Sequence, residues 1–139
     1  MGKLLERLRD PVRSGVYRVA RPDEVLDAVE ASGILVAKVR FAAKEQLLKN
    51  IARALELPDW FGHNWDALED CLSDLSWRER DAAGTILLFE QPRRGDDFGV
   101  LVDVLASSAE SWAARGKPFF ALFVDPARTL PLPDLFRQS

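Results

Sequence analysis

Short apolar runs alternate with helix-like segments over most of this chain. Nearly continuous apolar runs at residues 34–39, 85–89 and 119–124 predict three strands. The last two runs contain no regular polar alternation, which is typical of strands buried on both faces of a parallel sheet. The pattern therefore indicates a mainly buried sheet, with amphipathic helices between its strands.

Apolar residues at helical spacing predict four helices, one before the first run and three between the runs. Pro22 opens the first, because proline suits the first helical position, and Gly33 ends it. The second spans residues 44–55 and stops before Pro58, since the residue preceding proline avoids the helical region. The third follows Asn64, and the fourth spans residues 97–115 with Gly116 as its terminator.

The order of these elements predicts the fold class. Helix, strand, helix, helix, strand, helix, strand is the order of an α/β domain with a small three-stranded parallel sheet and helical crossovers. We expect this domain to span residues 22–125, with a Pro-containing tail at 126–139. Residues 1–21 read as a basic arm with little periodicity. The arm either docks through Val16, Tyr17 and Val19, stays solvated, or lies near the acidic segment described below.

Composition sets the outer limits. A chain of 139 residues suits one domain, and 47% apolar residues are enough for a core. A single cysteine and a single histidine exclude an internal disulfide and an ordinary zinc site of His and Cys. No apolar stretch approaches the length of a membrane span. We expect a soluble cytoplasmic protein without membrane contact, and the pI near 5.2 disfavours direct nucleic-acid binding.

The negative charge is concentrated in one segment. Between Glu56 and Asp74 the chain has no lysine or arginine, although its net charge is only -3. Its carboxylates are Glu56, Asp59, Asp66, Glu69, Asp70 and Asp74. Asn64 is the predicted N-cap, and Leu68, Cys71, Leu72 and Leu75 form a buried stripe. Asp66, Asp70, Ser73 and Asp74 fall on the opposite side of this helix, with Glu69 on its flank.

The acidic residues permit a catalytic or metal-binding hypothesis. Asp66 and Asp70 lie one turn apart and could bind a divalent cation, and His63 is near enough for acid–base chemistry. Acidic side chains on the solvent side of a helix are nevertheless ordinary, and Cys71 belongs to the apolar stripe. The sequence contains no phosphate-binding glycine motif. We therefore expect no enzyme activity, no cofactor and no metal.

An interaction surface is the stronger interpretation. Trp60 and Phe61 lie between two helices, flanked by Pro58 and Gly62. Aromatic pairs in loops often pack half-buried between neighbouring elements of the same protein. Next to charged side chains that lose water on binding, they also act as interface anchors. Carboxylates steer a basic partner and can replace the phosphates of a nucleic acid. This combination predicts a protein that covers a nucleic-acid-binding or nucleic-acid-cleaving surface.

At this segment the chain resembles the barstar family, intracellular inhibitors of barnase-type secreted ribonucleases. The resemblance rests on residues 57–62 (LPDWFG), then Asn64, the Asp66-Ala67-Leu68 triplet and the Asp70-Cys71-Leu72 triplet, in register without a gap. It extends more weakly over residues 34–124. It implies a barstar-like fold, a role in bacterial toxin immunity and a basic barnase-like ribonuclease or related toxin as partner.

The resemblance also implies roles for single residues. Asp70 would enter the ribonuclease active site where the substrate phosphate sits, and Asp66 would meet basic groups at its edge. Trp60 and Phe61 would pack around the catalytic histidine of the enzyme. Gly62 would let the backbone approach closely. Asn64 and Ser73 would supply polar contacts.

Some positions depart from the family pattern. Glu69 stands where the type member has an aromatic contact residue, and Leu75 replaces another, for which Trp77 is the nearest substitute. A peripheral family acid aligns near Ser111, next to Glu110.

The expected partner-binding residues are Trp60, Phe61, Gly62, Asn64, Asp66, Glu69, Asp70, Ser73, Asp74 and Trp77. An alternative is a barstar-like module for a different basic protein, without ribonuclease inhibition. We expect the free protein to be a monomer.

Overall fold

The computed structural model describes residues 2–57, 64–73, 83–90, 92 and 95–135. Within these ranges the chain forms one parallel sheet with helices on both faces. The strands are β1 (Gly15–Val19), β2 (Ile34–Arg40), β3 (Gly84–Glu90) and β4 (Phe119–Val124). The helices are α1 (Gly2–Leu8), α2 (Pro22–Val29), α3 (Lys44–Leu55), α4 (Trp65–Ser73) and α5 (Asp96–Ala114), with a 3-10 turn at Pro11–Arg13.

The sheet has four strands in the order β1-β4-β3-β2, and every neighbouring pair is parallel. The α/β class with a parallel sheet is confirmed, but the predicted number of three strands is wrong. The fourth strand is β1, from the segment expected to form a basic arm. It aligns Gly15 with Phe120 and Val19 with Val124. Since its partner lies about a hundred residues later in the chain, no local pattern could reveal this pairing.

The segment after β4 covers the outer edge of β1. The backbone N–H of Arg18 donates to the Pro133 carbonyl, and the N–H of Leu135 donates to the Arg18 carbonyl. The Arg18 guanidinium also donates to Asp134 at 2.7 Å and to the Leu130 carbonyl at 2.9 Å. The two ends of the chain are thereby joined to each other, and the edge of β1 is not left open.

Alternate side chains of the central strands point to opposite faces of the sheet. Phe119, Ala121 and Phe123 of β4 pack in the cluster that contains α3, α4 and α5. Phe120 and Leu122 of the same strand pack in the cluster that contains α1 and α2. All five side chains are fully buried. The sheet therefore separates the layer of α1 and α2 from the layer that carries α4.

Candidate functional site

Helix α4 begins at a side-chain cap. The Asn64 side-chain oxygen accepts a hydrogen bond from the Ala67 N–H at 2.8 Å, which satisfies an otherwise unpaired donor of the first turn. The Asn64 carbonyl accepts from the Leu68 N–H at 2.9 Å. The predicted N-cap is confirmed.

The inner face of α4 is part of the core. Leu68, Cys71 and Leu72 are buried and pack in the cluster of α3, α4 and α5. Cys71 is only 1% exposed, so its thiol is held away from solvent. This placement agrees with a core role for Cys71 and not with that of a reactive nucleophile.

Two hydrogen bonds from α5 hold α4 in place. The Trp112 indole N–H donates to the Leu72 carbonyl, in the last turn of α4 where carbonyls have no partner within the helix. The Ser107 hydroxyl donates to the Glu69 carboxylate at 2.8 Å. Together with the buried face, these contacts fix both the position and the rotation of α4 on α5. Sequence reasoning missed Ser107 and Trp112, since nothing local connects residues about 40 positions apart.

The outer face of α4 presents carboxylates to solvent. Asp66 and Asp70 are exposed and lie one turn apart, whereas Glu69 and Ser73 are half-buried. This arrangement agrees with the helical spacing that placed Asp66 and Asp70 opposite the buried stripe. The other predicted contact residues lie outside the described residues; they are Trp60, Phe61, Gly62, Asp74 and Trp77.

The basic helix at the start of the chain does not cover the acidic helix. Leu4 and Leu8 anchor α1 in the cluster on the α2 face of the sheet, while Leu68 and Leu72 anchor α4 on the other face. The docked position is the observed one for the predicted basic arm: β1, which contains Val16, Tyr17 and Val19, joins the sheet, and α1 packs on the sheet face opposite α4. Asp66 and Asp70 are therefore not screened by α1.

Metal-binding clusters and membrane-spanning helices are both absent from the described residues. Within those ranges, no three His, Cys, Asp or Glu side chains come together in a geometry suited to a metal ion. None of the described helices has both the length and the apolar character that crossing a membrane requires. Among the described residues, the acidic face of α4 presents two neighbouring exposed carboxylates, Asp66 and Asp70, on a helix held by α5.

Two exposed carboxylates on a helix anchored in the core of an α/β domain are suited to contact with a basic surface. The family model described as Barstar (barnase inhibitor) matches residues 34–124. This match covers well over half of the chain, so the protein belongs to the barstar family, whose members are inhibitors and not enzymes. The match begins at β2 and ends at β4, which leaves α1, β1, α2 and the segment after β4 outside it. A search of curated proteins gave no match.

Proposed function

We propose that this protein inhibits a barnase-type ribonuclease by placing helix α4 over the enzyme's active site. The observation that carries the proposal is the exposed pair Asp66 and Asp70 on a helix that α5 holds rigidly, in a chain of the barstar family. A helix fixed before binding loses little conformational freedom in the complex. The proposal places the protein in the cytoplasm, as an immunity protein against a secreted toxin.

Asp70 is assigned the central role. It is exposed in the free protein, and the complex would bury it where the substrate phosphate normally sits. A buried carboxylate must meet positive charge or it costs several kcal/mol, so its partner on the enzyme is a lysine, arginine or protonated histidine cluster. Such a cluster is what a ribonuclease active site offers to its own phosphate.

The remaining residues are assigned supporting roles. Asp66 meets basic groups at the edge of the active site, and Asp66, Glu69 and Asp74 steer the basic enzyme during association. Trp60, Phe61 and Trp77 supply apolar contact area, and Gly62 permits close backbone approach. Ser73 and the Asn64 amide supply polar contacts at the rim.

Titration against a panel of barnase-type ribonucleases tests this proposal. Asp70→Ala should weaken inhibition by at least about a hundredfold, because it leaves the enzyme's cationic site buried without its partner. Asp74→Ala should weaken it far less. Asp27→Ala is the matched control, since Asp27 is an exposed acid on α2, across the sheet from α4, and its loss changes the net charge equally.

If Asp70→Ala and Asp27→Ala weaken inhibition equally, a specific role for Asp70 is rejected. The affinity of the unmodified protein should also fall between low and near-physiological salt, since screening weakens steering. Tight inhibition that depends on Asp70 would establish the inhibitor function and its site together.

A different basic partner is the second candidate, favoured by Glu69. This residue replaces an aromatic family contact, and Ser107 fixes its carboxylate at the border of α4 and α5. A partner selected by this acid carries a cation where a barnase-type enzyme offers an apolar surface. It would form a complex that needs Asp70 and Glu69 but inhibits no ribonuclease of the panel. Glu69→Trp should then weaken this complex and strengthen binding to a barnase-type enzyme.

A further inference from the structure

A cavity of about 210 Å³ lies where β1 ends and α2 begins. Its apolar surface comes from Leu4, Val19, Val25 and Leu135, and Arg21 and Arg128 also line it. Each described residue that lines the cavity falls outside residues 34–124, the part that matches the family. The cavity is thus built by segments outside the family match, on the sheet face opposite α4.

The two arginines at the cavity have donors to spare. Arg21 lies 4.0 Å from the Glu24 carboxylate and Arg128 lies 3.5 Å from the Asp134 carboxylate, both longer than an ordinary N–H···O hydrogen bond. A guanidinium carries five N–H donors, so these ion pairs do not exhaust either side chain. Glu24 also lines the cavity, and Asp134 is shared between Arg128 and Arg18, so these ion pairs set three arginines against two carboxylates.

Arg128 occupies this position at a conformational cost. Its φ of 57° lies in the left-handed region, which a side chain with a Cβ adopts unfavourably and glycine adopts readily. Strained residues of this kind are concentrated at binding and active sites. An arginine at a position suited to glycine places a guanidinium at the cavity, which points to a role for its charge.

We propose that this cavity binds a small organic monocarboxylate whose apolar part is about the size of a benzene ring. A cavity of about 150 Å³ holds benzene, so the observed volume accommodates a ring and a carboxyl group. The ring contacts the four apolar side chains, and the carboxylate accepts hydrogen bonds from Arg21 and Arg128. Glu24 opposes a second negative charge on the ligand, which favours a monoanion over a dianion.

NMR titration of the full-length, ¹⁵N-labelled protein tests the proposal with benzoate, benzamide and acetate as probes. Benzoate should shift the amide signals of Ala20, Glu24 and Arg128 in a saturable way. Benzamide lacks the charge and acetate lacks the ring, so each should bind at least about tenfold more weakly. Equal binding of benzoate and benzamide, or no saturable shift with benzoate, would overturn the proposal.

Two variants identify the residues responsible. Arg128→Gly removes the cation and relieves the left-handed backbone, so it should weaken benzoate binding at least about tenfold without lowering the melting temperature. Arg21→Gln should act in the same direction, since it removes the second cation that lines the cavity. Arg53→Gln, an exposed arginine on α3 across the sheet, is the matched control and should leave binding unchanged.

Unaltered benzoate binding in Arg128→Gly and Arg21→Gln would overturn the proposal. An acetylated peptide ending in phenylalanine carries the same chemistry as a protein C-terminus; if it binds more tightly than benzoate, the ligand is a chain terminus and the free acid is rejected. Neither result bears on ribonuclease inhibition, because the cavity and α4 lie on opposite faces of the sheet.

Discussion

Glu56 ends helix α3 in a backbone conformation that residues with a Cβ rarely adopt. Its φ and ψ are 54° and 51°, in the left-handed region. This geometry lets the Glu56 N–H donate to the Arg53 carbonyl and the Leu57 N–H to the Ala52 carbonyl, which closes the last turn. The turn therefore ends α3 before Pro58, the residue that the sequence pattern predicted as its stop and that lies outside the described residues.

We predict that Glu56→Gly stabilises the protein by about 0.5–1 kcal/mol, since glycine adopts this conformation without a Cβ clash. The free energy of urea unfolding measures the change. Glu45→Gly, in the first turn of the same helix, is the matched control and should destabilise by about as much because its position is helical. Destabilisation by both variants would contradict this explanation of the cap.

A second residue-scale feature is the buried carboxylate of Asp125, directly after β4. One of its oxygens accepts from the Thr129 N–H and hydroxyl, and the other accepts from the Leu130 N–H. Burial raises the pKa of Asp125, but these three hydrogen bonds and the charge of Arg18 outweigh burial and lower the pKa below its ordinary value. The native protein therefore favours ionised Asp125.

The sign of the pH dependence follows from this lowered pKa. The contribution of Asp125 to stability is complete above the pKa of the unfolded chain, about 3.9, and is lost as the pH falls through the lower native pKa. We predict that Asp125→Asn destabilises the protein clearly more at about pH 7 than at about pH 3. Urea unfolding at both pH values measures this difference. Asp27→Asn, an exposed acid, is the control, and equal costs of Asp125→Asn at both values would contradict the assignment.

At the scale of elements, the binding helix depends on its neighbour. Helix α4 has only nine residues, a length that is marginal in isolation, so its stability comes from packing against α5. The Trp112 ring also stacks on Phe119 of β4, with centroids 6.3 Å apart. Trp112 thus joins the end of α4 to both the helix beside it and the sheet beneath it.

We predict that Trp112→Phe lowers the free energy of unfolding by about 1–2 kcal/mol. The substitution keeps an aromatic ring in place but leaves the Leu72 carbonyl without its donor. Hydrogen exchange of the α4 amides should accelerate along with this loss. Ser107→Ala removes an exposed hydrogen bond to the same helix and should cost no more than about 0.5 kcal/mol. Equal effects of the two variants would show that the indole N–H has no special part in holding α4.

The same scale shows what a local pattern can predict. Helix α3 and strand β4 have the predicted bounds, and α5 begins one residue earlier and ends one residue earlier than predicted. These elements carry strong periodicity or dense apolar runs together with recognisable ends. At Gly116, a φ of 77° lets the Lys117 N–H reach the Trp112 carbonyl, so the predicted terminator works as a helix end.

At the scale of the whole molecule, the two chain ends complete the sheet. Leu4, Leu8 and Val19 contribute to the core on one face, and β1 covers the edge of β4. On the described residues, the acidic surface of α4 and the arginine-lined cavity then lie on opposite sides of one sheet. The two proposed binding sites, at α4 and at the cavity, therefore do not overlap.

We predict that deletion of residues 1–20 abolishes cooperative unfolding and causes aggregation, since it removes three core side chains and exposes the apolar edge of β4. Urea unfolding and size-exclusion chromatography measure the two effects. Val12→Ala is the control, because Val12 is 88% exposed and contributes nothing to the core. A monomeric truncated chain with normal cooperative unfolding would instead show that residues 21–139 fold without α1 and β1.

The sequence by itself determined the α/β class, most of the helices and strands, and the acidic side of α4. Each of these depends on residues within a few positions of one another, because periodicity, caps and terminators act over one or two turns. The tertiary structure alone decided the fourth strand, the contacts of Ser107 and Trp112 with α4, and the cavity between the chain ends. These features join residues about 40 to 130 positions apart, and such contacts form only when the sheet brings distant segments together.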